Sequence, residues 1–292
     1  MRRMTLKHCV TILLTLAAIS AGCRKEAPAP TPAPVEDKED AAVEFSLADL
    51  EDRGAVFVFE KEGTLKSADF TEMSQPAAFR PNEASLWKSL RVLRGKGTLS
   101  DILAGQIPSC PELAECLWLE TDISAAGLKS LSGAGKLKKL RLTGLTAEPD
   151  DLRELQKIPT LTELDLSGAA LSDEAMGVVA GFPALTRLNL YQNKIGDAGV
   201  ENLLPLAERL VWLNLDDTQI TDAVGPTLSR FEKLKFLHLG RTKVTDEIVD
   251  SLTQLKNLDT IHVTRTGITE EGAARLRAAL PDAEVISVVK EN

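Results

Sequence analysis

Histidine and aromatic residues are scarce in this chain. Three histidines, three tryptophans and one tyrosine occur in 292 residues, and aromatics make up 4% against 43% hydrophobic overall. A core built from this inventory rests on aliphatic side chains, and acid–base chemistry at neutral pH has few groups to draw on. No GxSxG, HExxH or GxGxxG pattern is present. Gly133-Ala134-Gly135-Lys136 lacks both the upstream glycine and the following Ser or Thr of a phosphate-binding loop. Bases are outnumbered as well, 34 against 43 acids, for a formal charge of -9. Setting aside Arg2, Arg3 and Lys7 of residues 1–22 leaves 31 bases and a charge of -12. An acidic body of this kind argues against a nucleic-acid partner.

What the chain has in abundance is repetition. LTRLNLYQNKI, LVWLNLDDTQI, LKFLHLGRTKV and LDTIHVTRTGI begin at Leu185, Leu210, Leu234 and Leu258, in steps of 25, 24 and 24 residues. Each places apolar residues at LxxLxL, then Asn or Thr, then an aliphatic. A unit this short cannot bury its own apolar face and must stack on its neighbours, so the period predicts a solenoid. The pattern resembles the leucine-rich repeat family over residues 110–290. That resemblance implies an α/β solenoid with a curved parallel sheet on its concave face and short helices on its convex face.

The same frame extends upstream through Leu161 and Leu137 to Leu113, Cys116 and Trp118, and downstream to a closing strand, AEVISVV, from Ala283. A rival frame at Ala114, Leu117 and Leu119 buries two leucines but breaks the spacing by one residue. Leu145 and Ala169 stand where other coils carry Asn or Thr. Residues 41–112 read as an N-terminal cap with irregular repeats, ahead of regular repeats over 113–292. Within the cap, Phe45–Arg53 predicts a helix capped by Ser46 and ended by Gly54. Ala55–Glu60 and Thr64–Phe70 predict a hairpin, its second strand a degenerate coil at Leu65, Ala68 and Phe70. Trp87, Leu90 and Val92 are expected to begin another.

After each regular strand comes Ser or Thr followed by an acid, as at Ser172-Asp173, Thr221-Asp222, Thr245-Asp246 and Thr269-Glu270. These predict helix caps, with the acids complementing the helix dipole. Leu152, Leu155, Leu252, Leu255, Leu276 and Leu280 then face inward. Pro159, Pro183 and Pro281 stop the return segments that they follow. Asn193, Thr218, Thr242 and Thr266 are expected to bond backbone where strand gives way to return. Cys110 and Cys116 point into the core, as buried free thiols or as a short-range disulfide.

Residues 1–22 combine a basic start with an apolar run from Val10 to Ile19 that is too short to span a bilayer, which reads as a signal peptide. Ser20-Ala21-Gly22-Cys23 resembles the lipobox of bacterial lipoproteins, with Ser20 where Leu is usual. The resemblance implies acylation of Cys23, palmitate included, and a lipid-anchored protein of the bacterial envelope. Arg24 after the cysteine implies the outer membrane, where the cell has one. Residues 23–40, with alternating Pro28, Pro30, Pro32 and Pro34, read as an extended polyproline II spacer.

Function therefore falls to the concave sheet, whose outward columns follow from the period. The first is Lys139, Glu163, Arg187, Trp212, Phe236 and Thr260. A second is Arg141, Asp165, Asn189, Asn214, His238 and His262, and a third is Thr143, Ser167, Tyr191, Asp216, Gly240 and Thr264. Charges in the early coils are placed to pair across strands. Tyr191, Trp212 and Phe236, bordered by Asn214, Asp216, His238 and His262, form the most binding-like patch, for a protein or other macromolecule. The alternative is that Trp212 and Phe236 merely lean together to shield the sheet. His238 and His262 with Asp216 are a weak candidate for zinc, which would make the protein a metal-dependent hydrolase. A purely structural envelope lipoprotein is the remaining alternative. The favoured reading is a non-enzymatic recognition or scaffold protein without a cofactor.

Overall fold

The computed structural model describes residues 43–60, 63–73, 79–81, 84–146 and 148–287, all within one compact unit spanning residues 40–292. The signal-peptide, Cys23 and spacer expectations lie outside the described residues. No helix among the described residues is long and apolar enough to cross a membrane.

The chain enters through β1 (Val43–Phe45) and α1 (Leu47–Glu51). Ser46 caps α1 as expected: its hydroxyl accepts from the Asp49 N–H while Asp49 accepts from the Ser46 N–H, which closes a capping box. Gly54 ends the segment at φ +100°. Then β2 (Val56–Phe59) and β3 (Leu65–Asp69) form the expected antiparallel hairpin. The backbone of β4 (Phe79–Pro81) pairs in parallel with β1 as a separate two-stranded sheet.

From β3 onward the chain winds. After α2 (Ala84–Trp87) come β5 (Val92–Lys96), α3 (Ser100–Ala104), β6 (Glu115–Leu119), α4 (Ala125–Leu131) and β7 (Lys139–Leu142). A 3-10 segment, Pro149–Lys157, leads to β8 (Glu163–Asp165), α5 (Asp173–Val179), β9 (Arg187–Asn189) and α6 (Asp197–Asn202). The last coils are β10 (Trp212–Asn214), α7 (Gly225–Leu228), β11 (Phe236–His238), α8 (Val249–Leu252), β12 (Thr260–His262), α9 (Glu270–Ala279) and β13 (Glu284–Ile286). β2 to β13, without β4, make one eleven-stranded sheet, parallel everywhere except the β2–β3 hairpin. The fold is a leucine-rich-repeat solenoid.

One register line threads the stack: Ala68, Leu93, Cys116, Leu140, Leu164, Leu188, Leu213, Leu237, Ile261 and Val285. All but Val285 are fully buried, as is the leucine three residues before each from Leu65 to Leu234. At about 2 kcal/mol per buried leucine, this spine carries the stability of the stack. Leu113, Cys116 and Trp118 do occupy the core, which leaves Leu117 and Leu119 on the outer side of β6.

The coil before it departs from expectation. Its core positions are Leu90, Leu93 and Gly95, not Trp87, Leu90 and Val92. The reason is volume: a Cβ on Gly95 would lie 3.2 Å from Trp118 Cδ1 and 2.5 Å from Leu103 Cδ1, so the indole fills the space a leucine would take. Trp87 instead packs beneath the cap, stacked on Phe70 at 6.2 Å.

The return segments mix α and 3-10 turns rather than forming uniform helices. Leu152, Leu155, Leu252, Leu255, Leu276 and Leu280 all face the core. Asn193, Thr218, Thr242 and Thr266 bond main-chain carbonyls as expected. Cys110 and Cys116 are free and buried, and burial pushes the Cys110 thiol up to about 12 and that of Cys116 well above its usual value. Both are therefore uncharged and unreactive at neutral pH.

Candidate functional site

Strand register brings the outward columns together as the period requires. Lys139, Glu163, Arg187, Trp212, Phe236 and Thr260 are paired in sequence across six strands, as are Arg141, Asp165, Asn189, Asn214, His238 and His262. In the early coils the charges neutralise one another. Glu163 takes Lys139 at 3.2 Å on one side and Arg187 at 3.5 Å on the other, and Arg141 Nε donates to Asp165 at 2.9 Å.

The later coils hold a continuous stack of rings. Trp212 and Phe236 lie parallel, 4.7 Å apart and 6° from coplanar orientation. Arg187 covers the other face of the stack, its guanidinium carbon 4.9 Å from the Trp212 ring centroid. Phe236 continues toward His262 at 5.4 Å, and His262 toward His238 at 4.4 Å. Tyr191 stands one column over with Arg241 above its ring at 5.1 Å. Tyr191, Trp212, Phe236, His238 and His262 are all partly exposed. Because the broad faces of Trp212 and Phe236 are in use within the stack, what remains for a ligand is a ridge of ring edges. At its head is a hollow of about 190 Å³ between Trp212, Arg187, Asn189, Arg141 and Asp165.

Two of the expected ligand-binding groups are already committed. Asn214 Oδ1 accepts from the Asp216 N–H at 2.9 Å, the same turn that Asn189 and Asp165 make one and two coils earlier. Asn214 is thus a frame residue. Asp216 is nearly buried and takes both Nε and Nη2 of Arg241, a bidentate clamp. Gly240 makes the clamp possible, since a Cβ there would lie 2.9 Å from His238 Cε1 and 3.0 Å from Asp216 Oδ1.

This clamp removes the third member of the metal triad. His238 Nδ1 is buried 3.4 Å from Asp216 Oδ2 but makes no hydrogen bond. Burial pushes His238 down to about 4, with Asp216 opposing only in part, and burial lowers His262 too. Both rings are neutral at pH 7. Among the described residues no three His, Cys, Asp or Glu side chains are gathered to hold an ion. The zinc-hydrolase alternative has no donor set here, and nothing else in the structure supports it.

The sequence reading missed Arg187 and Arg241 as members of the patch. Arg187 was legible, being the column neighbour of Trp212. Arg241 was not: it sits at φ +52°, one of a series at Gly97, Glu120, Gly144, Gly168, Gln192, Asp217, Arg241 and Arg265 that takes the left-handed conformation coil after coil. Three of the eight are glycine and the rest vary, so no residue type marks the position.

Comparison with known proteins supports the architecture. Residues 157–180 and 183–204 match the family model described as Leucine Rich repeat. No curated protein matches the chain in sequence. Among solved structures, an internalin from Listeria monocytogenes is similar over 72% of this chain and 63% of its own, at 20% identity and TM-score 0.48. A leucine-rich-repeat protein of Leptospira interrogans is similar over 75% and 60%, at 21% identity and TM-score 0.46. TLR13, in its complex with ssRNA13, is similar over 77% of this chain and 32% of its own, at 18% identity and TM-score 0.53. The chain spans less than two thirds of each. The likeness to TLR13 bears on fold alone.

Proposed function

We propose that the protein is a non-enzymatic recognition module that binds a partner protein across the ridge formed by Tyr191, Trp212, Phe236 and His262, displayed from a bacterial envelope on a lipid anchor at Cys23. The observation that carries the reading is the half-exposed stack of Arg187, Trp212 and Phe236 in the middle of a concave sheet. Pre-stacked rings lose little freedom on binding, so their edges offer rigid apolar area with arginine donors beside it. The display half of the reading rests on the basic, apolar and small-residue order of residues 1–23.

RNA, the partner in the TLR13 complex, fits this surface poorly. Glu163, Asp165 and Asp216 are interleaved with Lys139, Arg141, Arg187 and Arg241, so the concave columns offer no continuous run of positive charge for a phosphate backbone to follow.

The test is an affinity capture from envelope and culture fractions with the protein lacking residues 1–22, beside a Trp212→Ala/Phe236→Ala double variant matched for stability. A partner held by the parent and lost by the variant supports recognition through the ridge. Equal capture by both makes the stack a structural shield. The anchor is tested separately, by metabolic labelling with a radioactive fatty acid in the parent and in Cys23→Ala.

A further inference from the structure

The opposite end of the concave sheet carries a second feature that the period alone did not bring out. Register places Asp69, Arg94, Leu117 and Arg141 side by side on β3, β5, β6 and β7, so Leu117 lies between two arginines of one column. Leu119, two residues along β6, is one of only four large hydrophobics among the described residues that are strongly exposed. Together with Thr71 these side chains line a hollow of about 290 Å³. Its floor is leucine, and around it stand the guanidinium groups of Arg94 and Arg141, the Thr71 hydroxyl and the Asp69 carboxylate, two positive charges against one negative.

Neither arginine is saturated. Arg94 reaches Asp69 through Nη1 alone, at 3.4 Å, and Arg141 gives only Nε to Asp165, at 2.9 Å. A guanidinium has five N–H donors in a planar fork, so most of each remains available. Asp69 takes only one of them, through Oδ2, while its Oδ1 accepts from the Thr71 N–H at 3.0 Å and hydroxyl at 2.6 Å. Two cationic forks over an exposed leucine floor call for a ligand with a carboxylate and an apolar group close together. The volume lies at the small end for ligand pockets, room for about one residue. An internal acidic residue with an apolar neighbour needs two. A carboxyl-terminal residue carries both groups on one Cα.

We propose that this hollow binds the carboxyl-terminal residue of a partner polypeptide, with an apolar side chain on Leu117 and Leu119 and the α-carboxylate between Arg94 and Arg141. The site shares the concave face with the ridge and borders the hollow at its head through Arg141, but it contains none of Tyr191, Trp212, Phe236 and His262, so the proposal does not rest on that reading.

The test uses the full chain with isotope-labelled leucine methyls and follows them by NMR during titration with N-acetyl-leucine, N-acetyl-leucinamide and free leucine. N-acetyl-leucine is expected to shift the Leu117 and Leu119 methyls saturably at millimolar concentration, with the amide about tenfold weaker or worse for want of the charge. Arg141→Gln should weaken the acid by a similar factor. Since that change also strips Asp165 of its partner, Arg94→Gln, whose ion pair is long and exposed, provides the second variant. Equal binding of acid and amide, no saturable shift, or shifts centred on other leucines overturns the proposal. Tighter binding of free leucine than of N-acetyl-leucine also overturns it, because that would mark a free amino acid site.

Discussion

Asn193 donates from Nδ2 to the carbonyl oxygen of Leu166, one coil away, at 2.9 Å. Ala169 stands at the position of Leu166's own coil where later coils carry Thr, so that coil has no side-chain donor for the bond. The same amide reaches the Leu190 carbonyl at 2.9 Å, and its Oδ1 accepts from the Leu171 N–H at 2.9 Å. Thr218 makes a single bond of this kind, to Leu215 at 2.6 Å.

Removing Asn193 therefore strands buried backbone groups in two coils, while removing the Thr218 hydroxyl strands one carbonyl. Asn193→Ala should cost about 3 kcal/mol, and Thr218→Val about 1 kcal/mol. Urea denaturation with unchanged slope would measure both. Equal losses would mean that the amide's reach across coils contributes nothing.

A second inter-coil bond recurs on the convex side. Asp197, Asp222 and Asp246 each accept from both the N–H and the hydroxyl of the threonine that caps the next coil, Thr221, Thr245 and Thr269. Asp101 and Asp173 make the backbone half of the bond, to Ser124 and Gly196. Helix dipoles are thus only part of what these acids serve: they tie coil to coil. Asp222→Ala should lower stability by about 1 kcal/mol, the scale of a lost cap. Asp222→Asn, which keeps one acceptor oxygen, should lose less. The contrast is readable from thermal midpoints, and an identical loss in both would leave the carboxylate's second oxygen without a role.

How far these features were legible depends on whether they repeat along the chain or only converge in space. The spine from Leu113 onward is periodic and was readable, because burial on a stacked strand demands the same residue type at the same step. Trp87, Leu90 and Val92 misled because Trp87 is buried against Phe70, outside the strand frame, whereas the third frame position falls to Gly95, whose space Leu103 and Trp118 fill. The Asp series was visible at its 24- and 25-residue steps, but its partner sits a full coil away. At the concave site the first two columns pair in register as the period requires, but Asp216 and Gly240 of the third are buried, and what Asn214 and Asp216 already bond to was not legible, since both answers depend on turn geometry and on Arg241.

Glycine at two of these turns serves two different ends. Gly168 has φ +65° but free space around its missing Cβ, whose nearest neighbour would be 3.9 Å away, and five of the eight equivalent coil positions carry other residues. Gly168→Asn should cost no more than about 1 kcal/mol. Gly240 has no such backbone need, yet a Cβ there would press on His238 and Asp216. Gly240→Ala should cost more, about 2 kcal/mol, and should loosen the Arg241 clamp over Tyr191. Tyrosine fluorescence is swamped by tryptophan, so the second effect is best read from the ring resonances of Tyr191. A reversed order of stability would show that backbone strain outweighs crowding in these coils.

Acid should weaken the later coils before the carboxylates titrate. His238 is held down at about 4 in the folded state against 6.5 for the free group, and His262 is lowered in the same direction. Between those values the unfolded chain binds protons that the folded chain refuses, so stability rises with pH across that window. It is fully present above about 6.5 and lost as pH falls toward about 4. Around His238 stand Asp216, Arg241 and His262, and Glu284 acts on His262, so protonation would set an imidazolium against both a neighbouring imidazole and the Arg241 guanidinium for one shared carboxylate. The thermal midpoint should fall through this range in the parent and much less in His238→Gln. Asp49, Asp69, Asp246 and Glu270, all depressed by their hydrogen-bonding partners, add a further loss only at lower pH. A parent midpoint that holds level from pH 6.5 to 4.5, or a variant that falls just as steeply, would remove His238 from the explanation.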